Sequence, residues 1–235
     1  MPENYICMMK DSCNKAWVRG VMTVVKPFLG MKTQGVENID MASCPSVFIC
    51  NHGVSIGPVA ALIYLPVHFR PWIHDKMLVP EDAEATMTRT FENRYNFLGQ
   101  RTKRRIIRRV SVYMADAMAS FNPIPVSRID PMRMLNTVQS SIQALEEGDN
   151  LLIFPENPAE HYDAESFRNL HPAFGILGYQ YYQKTGKNLV FYPCFADKRG
   201  RRFAIGKPVV YTPTEDVQTG IRRVVSQVQA EMIEL

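Results

Sequence analysis

The sequence lacks the features that mark membrane-spanning and disulfide-stabilised proteins. No apolar run approaches the roughly 20 residues that a helix needs to cross a bilayer. The N-terminus shows no signal-peptide pattern, because residues 1–4 are polar and Lys10 interrupts the next apolar residues. The five cysteines form no C-x-x-C pair and no cluster with metal-ligand spacing, so we expect free thiols and no metal site. These absences predict a cytoplasmic protein, or one attached peripherally to the cytoplasmic side of a membrane.

What the chain does contain fits one folded unit with a basic surface. Its 235 residues are 46% apolar and 21% charged, which is typical of a globular domain. The net charge is +4, and residues 101–109 (RTKRRIIRR) carry six positive charges at the start of a predicted helix that runs to about Ser120. Such a run can be a solvated helix face, or it can bind phosphates of coenzyme A or lipid headgroups. We expect no nucleic-acid partner, since no stacking aromatic residues are interleaved with the charges.

Residues 5–29 predict an amphipathic N-terminal helix. Trp17, Val21, Val24 and Phe28 recur at helical spacing, with basic residues elsewhere around the helix. This pattern suits a helix that packs on the domain, and it also suits one that lies in a membrane interface. We predict residues 1–35 as a segment that docks on a membrane and residues 36–235 as the main domain.

Strands alternate with helices along the main domain. Apolar runs predict strands at residues 46–50, 151–154 and 188–195, and residues 201–211 predict one or two more. Asp130 and Pro131 predict a helix start, and residues 212–215 (TPTE) predict a capping box for the last helix. We therefore expect an α/β fold with a mixed, largely parallel sheet flanked by helices.

The stretch CNHGVSIGP, residues 50–58, comes directly after the first predicted strand and can be interpreted in two ways. Gly53 to Gly57 matches the G-x-S-x-G nucleophile elbow of serine hydrolases, with Ser55 as nucleophile. However, no oxyanion-hole segment precedes it, and too few strands come before it for an α/β-hydrolase. Alternatively, His52 is a general base at the junction of a strand and a helix.

Three later segments favour the histidine. They are NPIPVSR, which ends at Ser127 and Arg128; IFPEN, which contains Pro155, Glu156 and Asn157; and VFYPCF, with a central Pro193. Together with Asn51 and His52, and in this order, they resemble the four sequence blocks of the glycerolipid acyltransferases, the family of the lysophosphatidic acid acyltransferases. The resemblance spans roughly residues 46–210.

The resemblance implies direct acyl transfer from acyl-CoA or acyl-carrier protein to a hydroxyl of a lipid acceptor, without a cofactor. It implies His52 and Glu156 as catalytic residues, and Asn51, Ser127, Arg128 and Pro155 as substrate-binding residues; we expect Asn157, next to Glu156, to bind substrate as well. It also implies a fold whose N-terminal helix docks on a membrane.

The chain departs from the family's pattern at two places. Gly57 stands where the Asn-His-x4-Asp block has its aspartate, and Asn157 begins a segment that lacks the Gly-Thr-Arg continuation. Glu156 or Asp75 would have to replace the missing carboxylate. Two alternatives therefore remain: a degenerate protein that binds lipid or acyl chains without turnover, and a serine esterase that uses Ser55.

Overall fold

The structure is a computed structural model. It describes residues 12–40, 45–53, 56–91, 99–127, 130–155, 170–213 and 216–235.

Within these ranges the chain forms one eight-stranded sheet. The strands are β1 Lys32–Gln34, β2 Ser46–Cys50, β3 Arg70–His74, β4 Ile124–Val126, β5 Leu151–Ile153, β6 Val190–Asp197, β7 Arg202–Ile205 and β8 Val209–Val210. Their order is β1-β7-β6-β2-β5-β3-β4, and β8 also pairs with β6. Strands β2 to β6 run parallel to one another, whereas β7 and β8 are antiparallel to β6 and β1 is parallel to β7. The predicted mixed, largely parallel sheet is confirmed.

Helices cover both faces of the sheet. They are α1 Ala16–Leu29, α2 Ile56–Tyr64, α3 Pro80–Phe91, α4 Gln100–Ala119, α5 Pro131–Glu146, α6 Gly175–Thr185 and α7 Val217–Glu234, with 3-10 turns at Val36–Asn38, Asp75–Met77 and Pro172–Phe174. None of the helices in the described part of the chain is long and apolar enough to cross a membrane.

Successive side chains of β2 point to opposite faces and separate two apolar cores. Phe48 and Cys50 join the core that includes residues of α1 and α2, whereas Val47 and Ile49 join the core that includes residues of α5, α6 and α7. This alternation results from the two-residue period of a strand. A central strand that is apolar on both faces is typical of a sheet covered by helices on both sides.

The first helix begins later than the sequence predicts. Residues 12–15 are not helical, and α1 starts at Ala16; residues 5–11 lie outside the described ranges. Ser12 accepts a hydrogen bond from the backbone N–H of Phe69, and Arg19 donates to the carbonyl of Cys13. The first bond ties residue 12 to the domain and the second is local, and together they replace a further helical turn. Strand β1 also lies within residues 1–35, so this segment contributes a strand to the sheet.

Two details of the later helices also differ from the sequence-based predictions. The prediction that a capping box at residues 212–215 begins the last helix is wrong. Asp216 caps α7 by accepting hydrogen bonds from the backbone N–H groups of Gln218 and Thr219. An ionised carboxylate at this position also interacts favourably with the helix dipole. The predicted helix start at Asp130 is confirmed; the helical spacing of Leu135, Val138, Ile142 and Leu145 predicts a buried stripe on this helix, but Leu135 is exposed.

The start of α1 is attached to α4 through Asp116. This carboxylate accepts hydrogen bonds from the Lys15 ammonium group and, at 3.3 Å, from Nε1 of Trp17. The hydrogen bond from Lys15 lowers the pKa of Asp116, although partial desolvation opposes the shift. A carboxylate with a lowered pKa in the folded state stabilises the fold above its unfolded pKa of about 3.9, and this contribution disappears as the pH falls through the folded value.

We predict that Asp116→Asn releases the start of α1. Amide hydrogens of α1 should exchange faster in the variant at pH 7, because two hydrogen bonds to a charged acceptor are weakened. The difference in Tm between the variant and the wild type should begin to narrow as the pH falls below about 4 and should vanish once the pH has passed the lowered pKa of Asp116, where the wild-type carboxylate is also neutral. Glu231→Gln, which also removes one partly exposed carboxylate from a helix, is the matched control. Equal exchange rates in α1 for all three proteins would contradict the assignment.

Candidate functional site

The carboxyl ends of three central strands form the edge at which the candidate site lies. Ile49 of β2 is in register with Ile153 of β5 and with Pro193 of β6. The residues after these positions therefore meet at one edge: Asn51 and His52, then Phe154 and Pro155, then Phe195 and Ala196. Ligands of open α/β sheets bind outside the carboxyl ends of the strands.

His52 is exposed at this edge. It continues the β2 face that carries Phe48 and Cys50, and its ring packs edge-to-face against Phe154, with 6.0 Å between centroids and an interplanar angle of 82°. The sequence predicts that the Phe-Pro-Glu strand end reaches the same edge as the histidine. The described part of that strand end, Phe154 and Pro155, does so.

Asn51 holds the end of β2 to β6. Its Oδ1 accepts from the backbone N–H of Ala196 at 2.7 Å, and its Nδ2 donates to the Ala196 carbonyl at 3.2 Å. The side chain is fully buried. Asn51, predicted as a substrate-binding residue, thus uses its carboxamide on the protein backbone, and it fixes the position of the neighbouring His52.

Gly57 lies against the backbone that carries the histidine. Its N–H donates to the carbonyl of His52 at 3.1 Å, and a Cβ at this position would lie 1.6 Å from the carbonyl oxygen of Asn51. Such a distance is impossible without a shift of the backbone. The space that an aspartate side chain would need is therefore filled by the turn itself, and only glycine fits this conformation.

Pro155 is buried and anchors the strand end that it belongs to. Its carbonyl accepts a hydrogen bond from the backbone N–H of His171 at 2.9 Å, and His171 precedes the 3-10 turn that leads into α6. The sequence predicts Pro155 as a substrate-binding residue. In the structure its carbonyl ties the strand end beside His52 to the segment that precedes α6.

The remaining predicted residues are either far along the edge or outside the described ranges. Ser127 is buried at the end of β4, three strands from β2, or about 14 Å at the usual strand spacing. Arg128, Glu156, Asn157 and the alternative nucleophile Ser55 lie outside the described residues.

Two described carboxylates at this edge are engaged elsewhere. Asp75, considered as a substitute for the missing aspartate, pairs with Arg133 at 2.9 Å and accepts from the backbone N–H of Lys76 at 2.8 Å, and β5 separates its strand from β2. Asp197, which the sequence patterns did not indicate, lies at the end of β6 and accepts from the backbone N–H groups of Arg199 and Gly200. The hydrogen bond from Gly200 is the largest factor that lowers the pKa of Asp197.

A Ser-His-Asp arrangement lies at the opposite edge of the sheet. Nδ1 of His68 is 3.4 Å from Oγ of Ser12, and Nε2 is 3.1 Å from Oδ1 of Asp149. In a serine-hydrolase triad Nε2 faces the serine and Nδ1 faces the carboxylate, so the order is reversed here. Ser12 is also buried and accepts from the N–H of Phe69. The arrangement therefore ties residue 12 to β3 and does not form a nucleophile.

The residues brought together suit proton transfer at an open surface. An exposed imidazole stands beside an aromatic ring, on a strand end that is held in place by two hydrogen bonds between the Asn51 side chain and the backbone of Ala196. Within the described residues, no group of three or more His, Cys, Asp or Glu side chains is placed to hold a metal ion.

Comparison with known proteins adds no family assignment. No protein-family model matches the chain, and no curated protein matches it.

We predict that Gly57→Ala and Gly57→Asp destabilise the fold to a similar extent, by about 1–3 kcal/mol or more, since either Cβ must displace the backbone of Asn51. Urea unfolding measures the change. The control is Gly20→Ala, whose Cβ meets no atom within 4 Å and whose helical position favours alanine. An unfolding free energy for Gly57→Asp equal to that of the wild type would contradict the argument, because it would show that the turn has room for the side chain.

Proposed function

We propose that the protein is a membrane-peripheral acyltransferase that moves a fatty acyl group from an acyl thioester to a hydroxyl of an anionic lipid acceptor, such as a lysophospholipid. One observation carries the proposal: His52 is exposed at the carboxyl end of a central strand and contacts Phe154, the first residue of the Phe-Pro-Glu segment. The four sequence blocks that resemble the glycerolipid acyltransferases support the same chemistry.

In the proposed reaction His52 takes the proton of the acceptor hydroxyl while the oxygen attacks the thioester carbonyl carbon. The C–O bond forms, the C–S bond breaks, and the leaving thiolate receives the proton from the imidazolium. The products are an ester and a free thiol, and no acyl-enzyme forms. Imidazole suits this role because it exchanges a proton readily near neutral pH.

The other predicted residues receive roles around this base. Asn51 and Pro155 act as positioning residues, since their polar groups bond to the backbone of β6 and to the segment before α6. We assign the guanidinium of Arg128 to the acceptor phosphate, because its planar donors match a phosphate group. Glu156 would orient His52 in place of the missing aspartate, and Ser127 and Asn157 would line the acceptor pocket.

The exposed side of α1 supports attachment to a membrane. Its apolar stripe, Trp17, Val21, Val24 and Phe28, is 41% to 85% exposed, while Val18 on the neighbouring face is buried in the core. Large apolar side chains in a row on the surface mark an interaction site. Strand β1, which comes after α1, begins opposite Arg202, and Arg202 pairs with Asp197 at the end of β6. The C-terminal end of α1 therefore lies toward the edge that carries His52.

We predict that His52→Gln lowers acyl transfer by about 10²- to 10⁴-fold, the usual contribution of a general base. The assay measures free thiol released from long-chain acyl-CoA with and without lysophospholipid. His74→Gln is the matched control, since it replaces another histidine at this sheet edge and should retain full activity.

The same assay separates the alternatives. Thiol release that needs no acceptor and is lost in Ser55→Ala would indicate an esterase. Lipid binding without any thiol release would indicate a degenerate binding protein, an alternative that the tight fit of Gly57 favours because no aspartate can occupy the family's position. Either result would overturn the proposal.

We predict that Val24→Ser with Phe28→Ser weakens binding to lipid vesicles about 10-fold or more, because each change removes an apolar side chain from the interface. Tm should stay within about 2 °C of the wild type, since both side chains are exposed. A matched pair, Met132→Ser with Ile233→Ser, replaces exposed apolar residues on other helices and should leave binding unchanged. Equal losses in both pairs would show that α1 is not the docking element.

A further inference from the structure

Helix α4 has one buried stripe and a broad exposed face. Lys103, Ile107, Ser111 and Ala115 recur every four residues and are buried, and α3 packs against α4, with the Ser111 hydroxyl 3.3 Å from the sulfur of Met87. The rest of the N-terminal half of α4 is exposed.

The face opposite the buried stripe carries a row of cations. Arg101, Arg105 and Arg109 recur every four residues, and Tyr113 continues the row. Arg105, Arg108, Arg109, Val112 and Tyr113 line one shallow groove on this face. Among the described residues, none forms an ion pair or a hydrogen bond with the arginines of this row. The row therefore presents positive charge outward.

The arginine row is continuous with the apolar stripe of α1. Tyr113 packs edge-to-face against Trp17, with 6.0 Å between ring centroids, and Trp17 is the first member of that stripe. Asp116, one turn after Tyr113, bonds to both Lys15 and Trp17 and so fixes the junction between the two helices.

Both helices extend toward the edge that carries His52. Helix α4 contacts the 3-10 turn Asp75–Met77, which comes after the carboxyl end of β3, and then ends just before β4 begins. Its arginine-rich N-terminal half therefore lies nearer the carboxyl ends of the strands than Tyr113 does. The C-terminal end of α1 lies toward the same edge.

We propose that the arginine row of α4 and the apolar stripe of α1 form one docking surface for a bilayer that contains anionic lipids. The arginines attract the phosphate groups of anionic headgroups, while Val24 and Phe28 enter the acyl-chain region. Trp17 and Tyr113 have the amphipathic character of residues that lie at the level of the headgroups. A nucleic acid would leave the apolar stripe without a partner, so the surface fits a membrane better.

This inference deepens the membrane attachment in the proposed function, but it does not depend on catalysis. The closing experiment therefore measures binding alone and includes His52→Gln, which should bind vesicles like the wild type. Failure of the acyltransferase assay would leave the docking result intact, and failure of docking would leave the chemistry at His52 untouched.

The experiment compares flotation of the full chain with vesicles of phosphatidylcholine alone and with vesicles that also contain about 30% phosphatidylglycerol, enough to give an anionic surface. Arg105→Gln with Arg109→Gln should lower the affinity for the anionic vesicles about 30-fold, which corresponds to two basic residues near an anionic surface. The weak binding of this double variant to the neutral vesicles should equal that of the wild type. Wild-type binding to the anionic vesicles should fall as salt is raised, because the Debye length shortens.

Lys187→Gln with Lys207→Gln is the matched control, since it removes the same charge from exposed positions outside α4. It should retain wild-type affinity. Glutamine keeps a helix propensity close to that of arginine, so the α4 variant should fold, as circular dichroism would check. Equal losses in the two double variants, equal wild-type binding to neutral and anionic vesicles, or tight binding to RNA with none to vesicles would each overturn the proposal.

Discussion

The geometry of the candidate site depends on the two hydrogen bonds between Asn51 and the backbone of Ala196. They join the ends of β2 and β6, the two adjacent central strands, at the point where regular strand pairing stops. If these two bonds were broken, the buried carboxamide of Asn51 and the N–H and C=O groups of Ala196 would lack hydrogen-bond partners, which costs free energy away from water. His52 is the next residue, so the position of its imidazole is set by the sheet and not by the loop beyond it. Gly57 closes the turn from the other side by donating to the carbonyl of His52.

The central strands of the fold could be predicted from the sequence because they are short apolar runs that are buried on both faces. Residues 46–50 and 151–153 form strands where continuous hydrophobicity indicates them. The start of α1 could not be predicted in this way, since Ser12 bonds to a residue distant in sequence and Cys13 accepts from Arg19. Likewise, Thr212 satisfies the capping-box pattern, but Asp216 lies nearer the first helical residue and caps α7. Local patterns were misleading where a tertiary contact or a stronger neighbouring cap competed with them.

The candidate site was only partly predictable for the same reason. The order of the sequence blocks indicates that several strand ends share one edge, and the structure brings His52 and Phe154 together. The order of the blocks along the chain does not give the distance between strands across the sheet. The block that ends at Ser127 comes second in the chain, but it follows β4, which lies three strands from β2. The sequence also could not show whether Gly57 merely replaced an aspartate or whether the backbone at this position requires glycine. The contact between Gly57 and the carbonyl of Asn51 makes that distinction.

The same contact changes what a missing aspartate means for the proposed chemistry. If glycine had merely replaced an acidic residue, an empty space would remain beside the histidine, and water or another carboxylate could enter it. Here the carbonyl of Asn51 occupies that space, so an orienting carboxylate must approach His52 from another strand. Asp75 and Asp197 are held by Arg133 and by the turn after β6, respectively. We assign this role to Glu156 in the proposed acyl transfer, because it directly follows the strand end that contacts the imidazole. A loss of activity in Glu156→Gln as large as that in His52→Gln would fit this assignment, whereas full activity would require a histidine that works without a carboxylate.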